Sequence, residues 1–407
     1  MGRFGASGLL KDVLPVRSQP RHDELLSSWI VRLAMAHGLK LHTFSTLLWD
    51  KRSIWNRDID KCADDKILKE LARRTETPLE RVRATTLATY EGLLYEQHNA
   101  RGNTSWIMPL GVYHRVRRLH GTQYCSRCLI EDKAPYFRRA WRLAFVTVCI
   151  KHRCLLFDSC PRCYAPINFH RNELGERSKQ VGTGLIRCFI CNFDLREVCS
   201  VLPRDVCDDS INYQSTLERA AAEGKINVSD GQTTYALLYF PVLRQLMKVL
   251  ASRRGNKLLA ALCRETGMPP FASCFPARRT DIESLRIAER HQLKTLAAYL
   301  LENWSERFVR ICVSARVWSS TLLRDFEPAP FWYWKVVHDR LYRTAYCATN
   351  EEIVAAIAYI EHSGGIAYQK VISELLGTQN VFRKRKTFTD FSSATVGRAT
   401  VKVVRVK

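Results

Sequence analysis

The chain has 407 residues, 46% of them apolar and 10% aromatic, enough for several cores and too much for a wholly disordered polymer. Sixty-three Lys and Arg against 40 Asp and Glu leave a net charge of +23, a field that attracts polyanions, nucleic acid first among them. Fifteen cysteines would suit a small disulfide-stapled secreted domain. The opening residues, however, hold no apolar run of signal-peptide length, and no stretch approaches the ~18 apolar residues that cross a bilayer. Metal-bound thiolates in a reducing cytoplasm are therefore expected, with no membrane partner.

Residues 1–115 read as a helical domain. Asp23 is placed to cap a helix in which Leu25, Leu26, Trp29, Ile30, Leu33 and Ala34 recur at helical spacing. Gly38 stops it, and Leu41, Phe44, Leu47 and Leu48 begin a second helix at once, a helix-turn-helix-like pair. A similar pair follows in 66–89, with Ile67, Leu68, Leu71 and Ala72, then Pro78 at a helix start, then Val82, Leu87 and Ala88. Either pair can read DNA or simply pack as a bundle. Residues 116–200 carry the cysteine cluster. Residues 201–345 return to helical spacing, broken at 267–270 and 326–330. There the run Phe331-Trp332-Tyr333-Trp334 offers a base-stacking surface, although clustered aromatics more often fill cores.

Residues 346–407 form the last predicted module. Asn350 caps a helix to Glu361 with Ile353, Ile357 and Ile360 on one face, ended by Gly364-Gly365, and 368–376 form a second helix stopped by Gly377. Thr378 or Asn380 starts a third, which bears Arg383, Lys384, Arg385 and Lys386. The valines at 401, 403, 404 and 406 suggest a wing strand, with the alternation broken at Val404. Residues 381–407 hold eight Lys or Arg and one Asp, a net of +7. A basic third helix matches a groove-binding module, so these four residues are the candidate DNA contacts. The expected fold is mainly α and multidomain: a helix-turn-helix-like N-terminal domain, tandem zinc ribbons, and a helical C-terminal half ending in a basic winged helix-turn-helix-like module.

Four ligand pairs carry the chemistry: Cys125/Cys128, Cys149/His152, Cys160/Cys163 and Cys188/Cys191. Two intervening residues let a tight turn aim both side chains at one tetrahedral ion, and four such pairs within 67 residues predict two structural zinc ions. Sequential pairing gives one site of three cysteines and a histidine and one of four cysteines, while an interleaved pairing, first with third and second with fourth, is left open by the spacing. Cys154, two residues past His152, competes as a ligand at a poorer spacing. All four positions at each site are protein-filled, no His-Glu-x-x-His occurs, and Pro161 lies inside a cysteine pair rather than ahead of it as in nucleobase deaminases. Closed sites hold shape and leave no open position for catalysis. Between the first two pairs, 136–143 interleave aromatic and basic residues, making Arg138, Arg139 and Arg142 candidates for binding DNA or an acidic partner. No phosphate-cradling Gly-x-x-x-x-Gly-Lys-Ser/Thr and no Gly-x-Ser-x-Gly elbow is present, and carboxylates such as Asp205, Asp208 and Asp209 are sparse. A non-enzyme is expected.

The opening Leu14-Pro15-Val16, Pro20, Asp23-Glu24-Leu25 and 28–34 resemble the N-terminal signature of TniQ proteins, target-selection components of bacterial transposons. The likeness continues through Tyr136-Phe137-Arg138-Arg139, Trp141-Arg142-Leu143, Cys149, His152, Leu155, Cys160-Pro161, Cys163, Cys188, Cys191 and Asp194-Leu195. It covers about the first half of the chain. The resemblance implies a non-catalytic adaptor that couples target DNA, or a target-bound partner complex, to an AAA+ ATPase and a transposase. Members divide by target: insertion near resolvase sites, a fixed chromosomal attachment site, or a CRISPR effector complex on which the protein rides as a dimer. A zinc-dependent DNA-binding transcription regulator is the alternative from a different class, and a zinc-stabilised nuclease a weaker third.

Overall fold

The computed structural model describes residues 12–50, 52–113, 116–171, 184–197, 206–229, 232–269, 281–342 and 348–377, in two units, Met1–Leu341 and Tyr342–Lys407. Among the described residues there are fifteen α-helices and three two-stranded antiparallel sheets. No described helix is long and apolar enough to cross a membrane.

The first five helices are α1 (Leu26–Ala36), α2 (Leu41–Leu48), α3 (Ile59–Cys62), α4 (Asp65–Thr75) and α5 (Leu79–Arg83). Trp29, Ile30 and Leu33 of α1 are fully buried and meet Leu41 and Phe44 of α2 across a turn in which Gly38 has φ +65°. Each such buried aliphatic side chain contributes about 1.5–3 kcal/mol. Asp64 caps α4, its carboxylate accepting from the Ile67 amide, and Pro78 precedes α5. Asp23 does not cap α1. It adopts φ +53°, the residue before α1 is Leu25, and the Asp23 carboxylate is engaged elsewhere.

The cysteine region is built from short pieces: β1 (Val112–Tyr113) paired with β2 (Val116–Arg117), α6 (Ser126–Glu131), and β3 (Val148–Cys149) paired with β4 (Cys154–Leu155). Beyond it come α7 (Asp208–Glu223), the hairpin β5 (Lys225–Ser229) with β6 (Gln232–Tyr235), α8 (Ala236–Ala251), α9 (Asn256–Thr266), α10 (Ile287–Leu301), α11 (Glu306–Ser314), α12 (Ser319–Leu322) and α13 (Phe331–Leu341). Among the described residues, the buried apolar side chains of the first unit from Leu14 to Leu341 form one cluster.

On α13 the aromatic run divides. Tyr333 is fully buried, and Trp332 packs on Tyr239 and Trp304. Phe331 and Trp334 are 70% and 38% exposed, on the opposite side of the helix.

The second unit contains α14 (Asn350–His362) and α15 (Gln369–Leu375) around a small core of Ala348, Ile353, Ala356, Ile360, Ala367 and Ile372. Thr349, rather than Asn350, is the N-cap: its hydroxyl accepts from the Glu352 amide while Glu352 accepts from the Thr349 amide. Arg383, Lys384, Arg385, Lys386 and the valine-rich end lie outside the described residues.

Candidate metal centres

Cys125 is the N-cap residue of α6 and Cys128 lies in its first turn, so a helix start presents two thiols on one side. Mutual hydrogen bonds between Tyr124 and Phe157 tie this start to the strand that follows β4. Cys149 ends β3, and His152 lies in the turn to β4, where Arg153 takes φ +52° to reverse the chain. His152 Nδ1 lies 3.4 Å from Cys125 Sγ, 3.3 Å from Cys128 Sγ and 3.4 Å from Cys149 Sγ; Cys128 and Cys149 Sγ are 3.7 Å apart. Bond lengths of about 2.3 Å to sulfur and 2.0–2.1 Å to nitrogen give a tetrahedron with edges of about 3.8 Å (S–S) and 3.5 Å (S–N). The donor set fits a zinc-sized ion.

The second cluster repeats the design with two matching knuckles. Cys160 and Cys163 are followed by Tyr164 at φ +59°, whose amide donates to the Cys160 carbonyl; Cys188 and Cys191 are followed by Asn192 at φ +57°, whose amide donates to the Cys188 carbonyl. Each left-handed residue folds the chain back so that both thiols face inward. Cys160 and Cys191 Sγ are 3.6 Å apart, as are Cys163 and Cys188. Donor atoms lie within 4.8 Å of one another in each group, Cys125, Cys128, Cys149 and His152 in one, and Cys160, Cys163, Cys188 and Cys191 in the other. The pairs are thus grouped sequentially. The interleaved arrangement does not occur.

Hydrogen bonds from Cys128 and then Cys149 pull the Cys125 thiol far down, and its thiolate in turn pushes Cys128 up. A divalent ion at the centre would stabilise all three thiolates together. The other ring nitrogen of His152, Nε2, faces Glu131 Oε1 at 2.8 Å, the kind of outer carboxylate that fixes the orientation of a ligating imidazole. Nothing in the spacing points to Glu131; its place one turn past Cys128 is visible only once α6 is known. Cys154 Sγ stands 3.9 Å from Cys125 Sγ but outside the four-donor group.

The basic-aromatic segment faces inward and corrects one expectation. Arg142 is wholly buried, with ion pairs to Asp58 (2.7 Å) and Asp60 (3.2 Å) and a hydrogen bond to the Met108 carbonyl (2.9 Å), so it meets no outside partner. Burial and then the Asp58 charge push Asp60 up to about 6, while Asp58 and Asp60 hold the Arg142 guanidinium up against its own burial. Arg138 pairs with Asp132 and lies over the Tyr136 and Trp141 rings, and Arg139 pairs with Asp23, each arginine side chain 20% exposed. Phe137 and Trp141 are core residues.

The same segment locks the N-terminal helices to the first cluster. The Leu25 amide donates to the Phe137 carbonyl, the Arg139 amide to the Asp23 carbonyl, the Ala140 amide to the Asp23 carboxylate, and the Phe137 amide to Ser28 Oγ. Glu24, almost fully buried, accepts from Arg32 at 2.7 Å and from the Arg21 amide. The Asp23-Glu24 and Arg138-Arg139 signatures are the two halves of one seam.

Among the described residues, then, two clusters each offer four protein donor atoms to one ion. Residues 15–156 match the TniQ family model, so this stretch of the chain is similar to a TniQ domain. The matched span takes in the seam and the whole of the first cluster and stops before the second. No curated protein matches the chain. A TniQ domain is the mark of a transposition-associated family.

Proposed function

We propose that the protein is a target-selection adaptor in transposition, holding target DNA, or a complex already bound to the target, and an AAA+ ATPase that recruits the transposase. The observation that carries this reading is the TniQ domain built around a closed cluster of three cysteines and a histidine, with its signature residues committed to an internal seam. Each cluster takes one structural zinc ion, through Cys125, Cys128, Cys149 and His152 and through Cys160, Cys163, Cys188 and Cys191. The ion supplies cross-linking of distant segments and no reaction step. The +23 charge supports contact with DNA, and Arg383, Lys384, Arg385 and Lys386 remain candidates for it. The test is a pull-down of the purified full chain with a candidate transposition AAA+ ATPase, with and without target duplex. Retention of the ATPase, strengthened by DNA, is expected; no retention under either condition overturns the adaptor reading.

A further inference from the structure

Residues 236–264 carry Arg244, Lys248, Arg253, Arg254, Lys257 and Arg264 and not one Asp or Glu. In a chain with 40 acidic residues, so long a stretch of one sign creates a local field that only a polyanion or distant acids can offset. The stretch folds as α8, a tight turn and α9. The turn is fixed twice: Ser252 Oγ accepts from the Gly255 amide at 3.2 Å, and a Cβ on Gly255 would stand 1.9 Å from the Val249 carbonyl oxygen, so glycine alone lets the chain pass. α8 is buried through Leu243, Leu246, Met247 and Leu250, and α9 buries Leu258, Leu262 and Cys263. The other side of α9 and its approach are exposed, with Arg253, Arg254, Asn256, Lys257, Ala260 and Arg264, while the one acid of the helix, Glu265, is exposed near its C-terminal end and paired with Arg310.

Several neighbouring cations of the unit are held in ion pairs. Arg244 is ion-paired to Glu283, Arg310 to Glu265, and Arg307 to Glu302. Arg253, Arg254 and Lys257 have no acidic partner among the described residues, and Arg264 reaches only the Ala260 carbonyl of its own helix. An exposed lysine or arginine is ordinarily a solvated surface group. Four without a carboxylate partner, on one short helix and the turn that leads into it, are an arrangement suited to a row of phosphates.

We propose that the face formed by the α8–α9 turn and α9 is a contact site for duplex DNA, with Arg253, Arg254 and Lys257 on backbone phosphates. It lies outside residues 15–156. It rests on the DNA-contact part of the adaptor reading. A helix entered through a sharp turn, buried on one side and basic on the other, is the shape that enters a major groove. The exposed face of α9 carries no aromatic side chain on which unpaired bases could stack, which favours duplex over single strands.

The test measures affinity of the full chain for a target duplex and an unrelated duplex across a salt series. For the combined Arg253→Ala, Arg254→Ala and Lys257→Ala variant, affinity for both duplexes should fall at least tenfold at low salt. The log–log salt slope should drop by about 2–3, at roughly 0.9 for each phosphate no longer neutralised. The charge-conserving variant with Arg253→Lys and Arg254→Lys should keep the slope, which separates lost charge from lost folding. If the wild type binds duplex and the alanine variant matches it in affinity and slope, this surface is wrong while the adaptor reading stands. If the wild type binds no duplex at all, the site and the DNA part of the reading fall together. An alanine variant that loses single-stranded or acidic-peptide binding while duplex binding is intact also overturns the proposal.

Discussion

His152 uses both ring nitrogens: Nδ1 meets three sulfurs at 3.3–3.4 Å, and Nε2 faces Glu131. Cys154 Sγ comes within 3.9 Å of Cys125 Sγ but stands outside the four donors that lie within 4.8 Å of one another. A ligand must sit at a tetrahedral edge from all three of its companions, so His152 qualifies and Cys154 does not. The expected outcome is two zinc ions per chain in the wild type and in Cys154→Ala, and one in Cys128→Ser. His152→Ala should bind its first-cluster ion at least tenfold more weakly, read by competition with a chromophoric chelator. Loss of an ion from Cys154→Ala would assign the ligand the other way. Arg142 makes the complementary point about composition. An arginine between aromatic residues resembles a phosphate grip on paper, yet its guanidinium is bound between Asp58 and Asp60. Removing one partner of such a buried pair typically costs about 3–5 kcal/mol, which is the signature of a structural residue.

Among the helices, α10 bears a buried charge that should be visible in stability. Lys294 is fully buried, its Nζ donating to Gln214 Oε1 at 2.5 Å, and burial depresses it to about 7 against the attraction of Glu218. Below about 7 both folded and unfolded chains bind this proton, and the fold bears the cost of the buried charge. From about 7 up to the unfolded value of 10.5 the unfolded chain binds more protons, so stability rises with pH, by at most about 1.4 kcal/mol per unit. Urea midpoints of the wild type and Lys294→Met between about pH 7 and pH 9 test this linkage. The wild type should gain on the variant as pH rises, and a constant difference would contradict the depressed lysine.

Elements are legible in the sequence where local signals agree. The α1–Gly38–α2 pair, the Pro78 helix start and the α14–Gly364 stop follow from apolar period and positive-φ glycines. Caps are less legible because two residues compete for each role: Asp23 is held by Arg139 and Ala140, and Thr349 stands one position ahead of Asn350 with Glu352 to complete a reciprocal pair. The hairpin β5–β6 between α7 and α8 leaves little trace in the pattern, since Gln232–Tyr235 is an exposed strand without strong apolar alternation. The inward turn of residues 136–143 depends on partners more than 80 positions away in sequence, Asp23, Asp58 and Asp60, which no local pattern discloses. The acid-free run from 236 to 264, by contrast, is open to composition alone. It becomes informative because Arg253, Arg254 and Lys257 are exposed and without acidic partners among the described residues.

At the scale of the whole first unit, the first cluster is part of the core itself: Cys125, Cys128 and Cys149 belong to the same apolar cluster as Trp29, Phe137 and Phe240. Ion binding at such a place is linked to folding of the unit, which suits a part that must present fixed surfaces to other molecules. In the proposed role the protein chooses where a transposon goes and leaves the chemistry to others. The most direct measurement is insertion-site sequencing in a reconstituted reaction of transposase, AAA+ ATPase, donor and target DNA, run with and without this chain. Insertions should concentrate at one target class only when the chain is present, and the chain alone with Mg²⁺ should neither cut nor join DNA. Unchanged insertion sites on omission, or strand cleavage by the purified chain alone, would contradict the adaptor role.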